Sequence, residues 1–294
     1  MNSTPKSQVA IVSAKEAMAV DTDLPLLRSA LDARGITHAT YAWDDKAAPW
    51  DTFDLVVVRS AWDYVPRRDE FVAWARAVRA PLANDAGMLA WNTDKRYLRV
   101  LEKKGVAIVP TTWVEGGVDG GAAPTFPSTG EFVVKPAISA GARDTARYEA
   151  KQTGEATAHV RRITDAGNTA MIQPYVASVD ERGETGLIFF GGRASHAIEK
   201  GAILRGKRTE VAGLFAEERI VTRSPSDAER AFAEKVLAAI PFQTPLYARV
   251  DMVEDEQGAL RLLELELTEP SVFLDVDPKA AARFAEAIAE RLED

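Results

Sequence analysis

Three carboxylates toward the C-terminal end of the chain, Asp251, Glu264 and Glu266, carry the clearest chemical signal in the sequence. Asp251 closes the run Tyr247-Ala248-Arg249-Val250-Asp251, and Glu264-Leu265-Glu266 begins thirteen residues later. Alternate residues of a strand share a face, so two adjacent strands would bring all three acids to one point. Carboxylates placed in this way repel one another unless a cation sits between them. An all-oxygen donor set suits Mg²⁺, which prefers carboxylates plus substrate phosphates to a closed protein cage. The run therefore hints at nucleotide chemistry, and the alternative is an amphipathic hairpin with its acids on a solvated outer face.

Other chemistry-bearing residues precede that run. Lys135 ends an apolar stretch and, after Pro136, leads into a loop of small residues from Ala137 to Thr145 that includes Ser139 and Gly141. Small residues let backbone N–H groups approach an anion, and a lysine at the loop's edge adds a point charge. GxxxxGK[ST] occurs nowhere, so this is no Walker loop, and it can also be read as a plain connection. Lys95, within Trp91-Asn92-Thr93-Asp94-Lys95, is expected in the first turn of a helix, where a cation opposes the dipole and calls for a partner anion. The plain alternative is a solvated surface lysine.

Gln173-Pro174-Tyr175-Val176 follows a strand. Pro174 cannot donate a ladder hydrogen bond, so pairing should stop there and expose backbone polar groups at a hinge. Such a hinge could read an adenine edge, with Glu184 or Glu181 taking ribose hydroxyls, or could simply connect two elements. Arg59 stands at the C-terminal end of a parallel strand, where open α/β sheets place ligands. Its guanidinium is expected to grip a substrate carboxylate, with Ser60, Asp63 and Tyr64 adding polar contacts; the competing reading is a structural salt bridge. His196 and Lys200 are evenly spaced on a strand, so both could face a cleft. Lys200 is the candidate for phosphate or acyl-phosphate contact, and His196 reads as a satisfied structural histidine. Arg205, Lys207 and Arg208 lie in a Gly-containing loop that could close over phosphates or form a solvated basic patch.

The elements that must position these groups fall into two styles. Val9 to Val12 reads as a strand, Asp23 can cap a helix carrying Leu24, Leu27 and Leu31, and a strand follows near Thr40 to Trp43. Leu55-Val56-Val57-Val58 is an apolar run typical of a parallel strand covered on both faces, and Phe71, Trp74, Ala75 and Val78 repeat at helical spacing. Strand and helix alternate through Ala83, which predicts an α/β N-terminal domain built on a small doubly wound parallel sheet over residues 1–84. Beyond a Gly-, Pro-, Ser- and Thr-rich stretch from Glu115 to Gly130 the alternation breaks down, and the second part is α+β. Within it, Leu187 to Phe190, Gly191-Gly192 and Ser195 to Ile198 read as a hairpin with a glycine turn.

Composition narrows the function classes. Among 294 residues there is no Cys and there are three His, none at HExxH spacing, which argues against thiolate zinc sites, cysteine nucleophiles and Ser-His hydrolases. No GxGxxG follows a strand. A formal charge of -8 opposes general affinity for nucleic acid, and no apolar run approaches the roughly 20 residues that span a bilayer. The polar start Met1-Asn2-Ser3-Thr4-Pro5-Lys6 has no apolar core of a signal, so a cytoplasmic protein is expected.

The order of the pieces is more specific than any one of them. A helix lysine, a strand lysine before a small-residue loop, a Gln-Pro-Tyr hinge, then Arg-Val-Asp and Glu-Leu-Glu resembles the ATP-grasp superfamily, with residues 85–294 as its two-lobed α+β module and a central lobe over about 113–177. Arg59 to Tyr64, Asn84, Trp91 to Lys95 and Ser195 to Lys200 look like the glutathione-synthetase-like branch, and within it are similar to the cycloserine-forming O-ureidoserine cyclo-ligase family. The resemblance implies ATP between two lobes, with Lys95, Lys135, Ser139 and Gly141 toward its phosphates and Gln173, Pro174, Tyr175 and Val176 along the adenine. It implies Mg²⁺ on Asp251, Glu264 and Glu266, and Arg249 and Lys200 near the transferring phosphoryl group. Asn is usual where this chain has Glu266, and Glu269 is a candidate substitute ligand although its odd spacing points it to the other strand face. The implied reaction is an ATP-dependent carboxylate–amine ligation through an acyl phosphate, as ring closure of O-ureidoserine or as joining of two amino acids. A nucleotide-binding protein without turnover is the competitor. Expected partners are a small amino-acid-like molecule and at most a second copy in a homodimer, with no nucleic acid and no membrane.

Overall fold

The protein is described here from a computed structural model covering residues 8–117, 124–202 and 219–293. Its first layer is parallel: β1 (Gln8–Ser13), α1 (Asp23–Ala33), β2 (Thr37–Ala42), β3 (Leu55–Ser60), α2 (Arg68–Ala77) and β4 (Leu82–Ala83) form a sheet of order β2-β1-β3-β4. Strand alternation explains why β1 and β3 are wholly apolar at their centres. Val9, Ile11, Leu55 and Val57 face one core with Leu24, Leu27 and Leu31 of α1, whereas Ala10, Val12, Val56 and Val58 face Trp43 and Phe71 on the other side.

Helices α3 (Ala86–Asn92) and α4 (Tyr97–Lys103) lead to an antiparallel sheet made of β5 (Thr112–Val114), β6 (Glu131–Pro136), β7 (Ala146–Glu149) and β8 (Ala170–Pro174), in the order β5-β8-β6-β7. It is covered by α5 (Thr153–Asp165), which buries Ala156, His159, Val160 and Ile163 at helical spacing. Pairing does not stop at Pro174 as expected: Pro174 lies opposite Phe132, and the next N–H, of Tyr175, reaches Glu131 O at 2.8 Å. Because Tyr175 donates toward β6, position 174 points away from that partner, so a proline costs no ladder bond there.

After α6 (Val179–Arg182) come β9 (Glu184–Phe190), β10 (Arg193–Lys200), β11 (Ile220–Arg223), α7 (Asp227–Ala238), β12 (Tyr247–Glu254), β13 (Leu260–Glu266) and α8 (Ala280–Glu293). The strands form an antiparallel sheet of order β11-β10-β9-β12-β13. Gly191 and Gly192, both at positive φ, make the two-residue turn between β9 and β10. One face of this sheet packs with α1 and α8, and Phe284 of α8 stacks on Phe190 with ring centroids 4.4 Å apart. Asn84 bridges the layers: its amide donates to Tyr247 O at 2.9 Å and to Leu267 O at 2.8 Å, and accepts from Leu246 N at 2.7 Å. No helix among the described residues is long and apolar enough to cross a membrane.

Candidate active site

The acidic hairpin is β12 and β13, with Arg249 opposite Glu266 and Asp251 opposite Glu264. Arg249 donates from Nε and Nη2 to Asp251, at 2.9 Å each, from Nη2 also to Glu266, and from Nη1 to Ser271 O at 2.9 Å. Lys200 reaches Asp251 from β10, across β9, with Nζ 3.2 Å from Oδ2 and 3.3 Å from Glu184. Gly186, on β9 between Ile198 and Asp251, makes that reach feasible. A Cβ there would stand 3.0 Å from both the Asp251 carboxylate and the Ile198 side chain.

Lys95 lies in the turn between α3 and α4 rather than in the first turn of a helix, and it has the anion partner its position called for. Its N–H donates to Ala137 O at 2.9 Å, and Nζ sits 2.6 Å from Ser139 O and 3.0 Å from Glu264. This ties the small-residue loop to the acidic hairpin. In that loop Gly141, Ala142 and Asp144 all have positive φ, a conformation that costs the two non-glycine residues energy and so marks a constrained backbone.

The hairpin, β10 and the small-residue loop border a cavity of about 340 Å³, within the range of small-molecule sites. Lys95, Lys135, Lys200 and Arg249 supply its cations, and Glu184, Glu264, Glu266 and Glu269 its carboxylates. Ser139, Gly141, Gln173, Pro174, Tyr175 and Val176 also line it. At the hinge, Val176 and Leu263 pack on the cluster of Val109, Val179 and Val253, giving one part of the cavity an apolar wall.

Several expected site residues lie elsewhere. Arg59 is fully buried, with Nη1 2.5 Å from Pro270 O and Nη2 3.3 Å from Asp23 and 3.7 Å from Asp21. Asp21 and Asp23 leave the C-terminal end of β1, which neighbours β3, so the sheet edge that presents Arg59 also supplies its anions. Ser60 Oγ is 2.8 Å from Ser13 Oγ, and Asp63 accepts from Trp43 Nε1 at 2.7 Å. Of the four residues expected to grip substrate, only Tyr64 lines the cavity. Glu181 is exposed on α6 and away from the cavity wall, because that short helix turns it to solvent. Asp23 caps nothing in α1; its carboxylate accepts from Val272, Phe273 and Leu274 N–H. His196 donates to Val272 O at 2.7 Å, a structural role. Arg205, Lys207 and Arg208 lie outside the described residues.

Electrostatics separates the acids. Burial disfavours ionised Asp251, yet Arg249 and Lys200 outweigh it and hold its pKa at about 2. Glu264 is partly buried, which disfavours its charge, yet Lys95 and Lys135 hold its pKa low. Glu266 is pushed up to about 7 by burial and by repulsion from Asp251 and Glu264, even though it touches Arg249, whose charge Asp251 already uses. Its side chain is 26% exposed and lines the cavity. Glu269 is pushed up to about 8 by burial and by Glu266. Burial pulls Lys135 down.

The expected three-acid cage is not formed. Among the described residues no group of three acidic or histidine side chains converges on a metal position, because Asp251 lies beneath Arg249 and Lys200, 1% exposed and off the cavity wall. Glu264 and Glu266, two apart on β13, do face the cavity together. Two carboxylates on one face of a strand fit Mg²⁺ bound jointly with substrate phosphates. Trp62, Ser271 and Phe273 line the cavity without having been anticipated. Trp62 was adjacent to signalled residues, whereas Phe273 depends on a left-handed backbone with no local sequence mark.

Comparison with known proteins bears on the whole chain. Residues 9–84 match the family described as D-cycloserine synthetase DcsG, N-terminal domain. The cycloserine biosynthesis protein DcsG of Streptomyces lavendulae is 38% identical over 97% of this chain and 98% of its own length. The crystal structure of D-cycloserine synthetase DcsG superposes with a TM-score of 0.88 at 36% identity, covering 97% of this chain and 100% of that one. D-alanine–D-alanine ligase from Bacillus anthracis, solved with ATP, shares the fold, with a TM-score of 0.66 at 14% identity over 98% of this chain and 97% of that one. Near-complete coverage by a 38% identical relative, on a frame common to ATP-grasp ligases, shows that the chain belongs to the DcsG family of D-cycloserine synthetases.

Proposed function

We propose that the protein closes the ring of cycloserine: ATP phosphorylates the carboxylate of O-ureidoserine, the oxygen-bound nitrogen of the same molecule attacks the acyl carbon and displaces phosphate, and hydrolysis removes the carbamoyl group from that nitrogen as carbon dioxide and ammonia. The observation that carries this reading is the convergence of Lys95, Lys135, Lys200 and Arg249 on one cavity that also presents Glu264 and Glu266. A carboxylate attacking a phosphoryl group brings two anions together, so the protein's task is positioning and charge neutralisation rather than covalent catalysis. Adenine fits the apolar wall at Gln173 to Val176, and Lys95, Lys135 and the Ser139–Gly141 loop lie where phosphates need cations and close backbone approach.

Arg249 and Lys200 face the transferring phosphoryl group, and Asp251 holds both cations charged and aimed. Glu264 and Glu266 would hold Mg²⁺, which supplies neutralisation of phosphate charge when bound. Tyr64 and Trp62, delivered from the parallel layer, complete the wall on the substrate side.

The test is ADP release against a panel of D- and L-amino acids that includes both enantiomers of O-ureidoserine, with mass spectrometry of the products. ADP with O-ureidoserine alone and a ring-closed product is the expected result. ADP only with pairs of amino acids would replace cyclisation by intermolecular ligation, and nucleotide binding with no ADP from any substrate would remove the ligase reading.

A further inference from the structure

Resting on the ligase reading above, we propose that Glu269, oriented by Tyr64, is the subsite for the cationic ammonium group of the amino-acid substrate and is not a metal ligand. Four carboxylates line the cavity, and three have cations against them: Glu184 meets Lys200 at 3.3 Å, Glu264 meets Lys95 at 3.0 Å, and Glu266 meets Arg249. Glu269 has no cation at ion-pair distance among the described residues. The Tyr64 hydroxyl is placed to donate toward its carboxylate. A carboxylate withdrawn from bulk water and lacking a counter-ion is a position that a ligand cation would complete.

The surroundings select the kind of cation. Trp62 and Tyr64 bring aromatic surface to this part of the cavity, and the Trp62 indole donates to Glu269 O at 2.9 Å, fixing the backbone from which the carboxylate projects. Aromatic walls favour an organic ammonium over Mg²⁺, which keeps its water and asks for oxygen donors. Strand alternation would send Glu269 to the face opposite Glu266, yet both line the cavity because β13 ends at Glu266 and the chain leaves the ladder. In the irregular segment beyond it, Glu269, Ser271 and Phe273 face the cavity while Thr268, Pro270, Val272 and Leu274 are buried. Among the described residues Lys135 has no ion-pair partner and adjoins the phosphate loop, whereas Glu269, a carboxyl group with no ion-pair partner that would ionise on meeting an ammonium, adjoins Trp62 and Tyr64. A substrate whose carboxylate is turned toward the phosphates and whose ammonium is turned away matches that polarity.

The experiment compares wild type with Glu269→Gln and Tyr64→Phe, reading the KM for O-ureidoserine, the inhibition constant of its analogue with hydrogen in place of the ammonium group, the affinity for ATP and the Mg²⁺ concentration for half-maximal rate. Loss of one charge-assisted contact predicts a rise in KM for O-ureidoserine of about 10- to 100-fold in Glu269→Gln and about 3-fold in Tyr64→Phe. The analogue, ATP and Mg²⁺ values should stay within about 2-fold, which also reports that the variants are folded. A raised Mg²⁺ requirement with KM unchanged, or equal weakening of O-ureidoserine and its ammonium-free analogue, would overturn the proposal. Absence of ADP release from wild type with O-ureidoserine would strike the ligase reading alone. Calorimetric binding of the amino acid to the two variants, in the presence of a non-hydrolysable ATP analogue, then decides the ammonium site by the same ratio.

Discussion

Asp251 is 1% exposed and touches both Arg249 and Lys200, so it is the anion on which two cavity cations depend. Asp251→Asn removes the anion that Arg249 and Lys200 share, although Glu266 and Glu184 still pair with them, and the expected cost is about 3 kcal/mol of stability together with near-complete loss of turnover. Glu264→Gln should also nearly abolish turnover but with much less destabilisation, since Lys95 keeps its contact to Ser139 O. Urea denaturation and ADP release measured on both variants separate the two roles; equal destabilisation would contradict this division. The raised acids give a pH dependence of definite sign. Glu266 and Glu269 keep protons in the folded, ligand-free protein up to about pH 7 and about pH 8, whereas in the unfolded chain they titrate near 4.5. The folded state therefore binds more protons across that interval, and stability falls as pH rises through it. Melting temperatures of the ligand-free protein should drop between pH 5 and pH 8, and Glu269→Gln should flatten the slope; an unchanged slope would mean that Glu269 is not a buried acid.

The segment from Thr268 to Phe273 forms no helix or ladder, yet it is fixed bond by bond. Tyr247, Trp62, Arg59, Arg249 and His196 donate in turn to the carbonyls of Thr268, Glu269, Pro270, Ser271 and Val272, and Asp23 accepts the next N–H groups. Irregular backbone beside a cavity stays put only when its polar groups are paired. Asp23→Ala removes three acceptor contacts and one of the two acids beside Arg59, so a loss of roughly 3 kcal/mol or more is expected in urea denaturation. Asp23→Asn, which keeps an acceptor oxygen, should lose less, and similar losses in both would put the effect on charge alone. This segment also shows where the sequence stops being readable. The apolar runs of β1 and β3, the glycine turn at Gly191-Gly192 and the acidic hairpin follow from local periodicity and turn chemistry, and each is found where its pattern stands. Arg59 was misplaced because its partners come from another loop of the same sheet edge and from residues some 200 positions away. Strand position gave its location but not its neighbours. The same holds for Asp251, whose register was legible while its burial beneath two cations depends on Gly186 opening a path across β9.

At the scale of the molecule, the cores show which parts act together. One cluster joins Val9, Leu27 and Val57 of the parallel layer to Ile188, Tyr247 and Phe284, so α1, α8 and the five-stranded sheet share a single interior. The sheet β5-β8-β6-β7 is different: its cluster, from Phe132 to Ile172, draws on no residue of the other two sheets. Ties to the rest include Lys95 against Ala137 and Ser139, Met171 in the neighbouring core, and Ser178 against Glu254 O. Cooperative units follow shared cores, so this lobe should open more readily than the remainder. Peptides covering 131–174 are expected to exchange amide hydrogens faster, and as a group, than those covering 187–190 and 247–253. Because Lys135 and Gln173 to Val176 stand on this lobe while Glu264, Arg249 and Lys200 stand on the other sheet, the proposed site predicts that a non-hydrolysable ATP analogue with Mg²⁺ would bridge the two and slow exchange across 131–174 by a factor set by its affinity. Uniform exchange in all three regions, or a lobe indifferent to nucleotide, would show that the sheets open as one body and that the cavity between them does not depend on their separation.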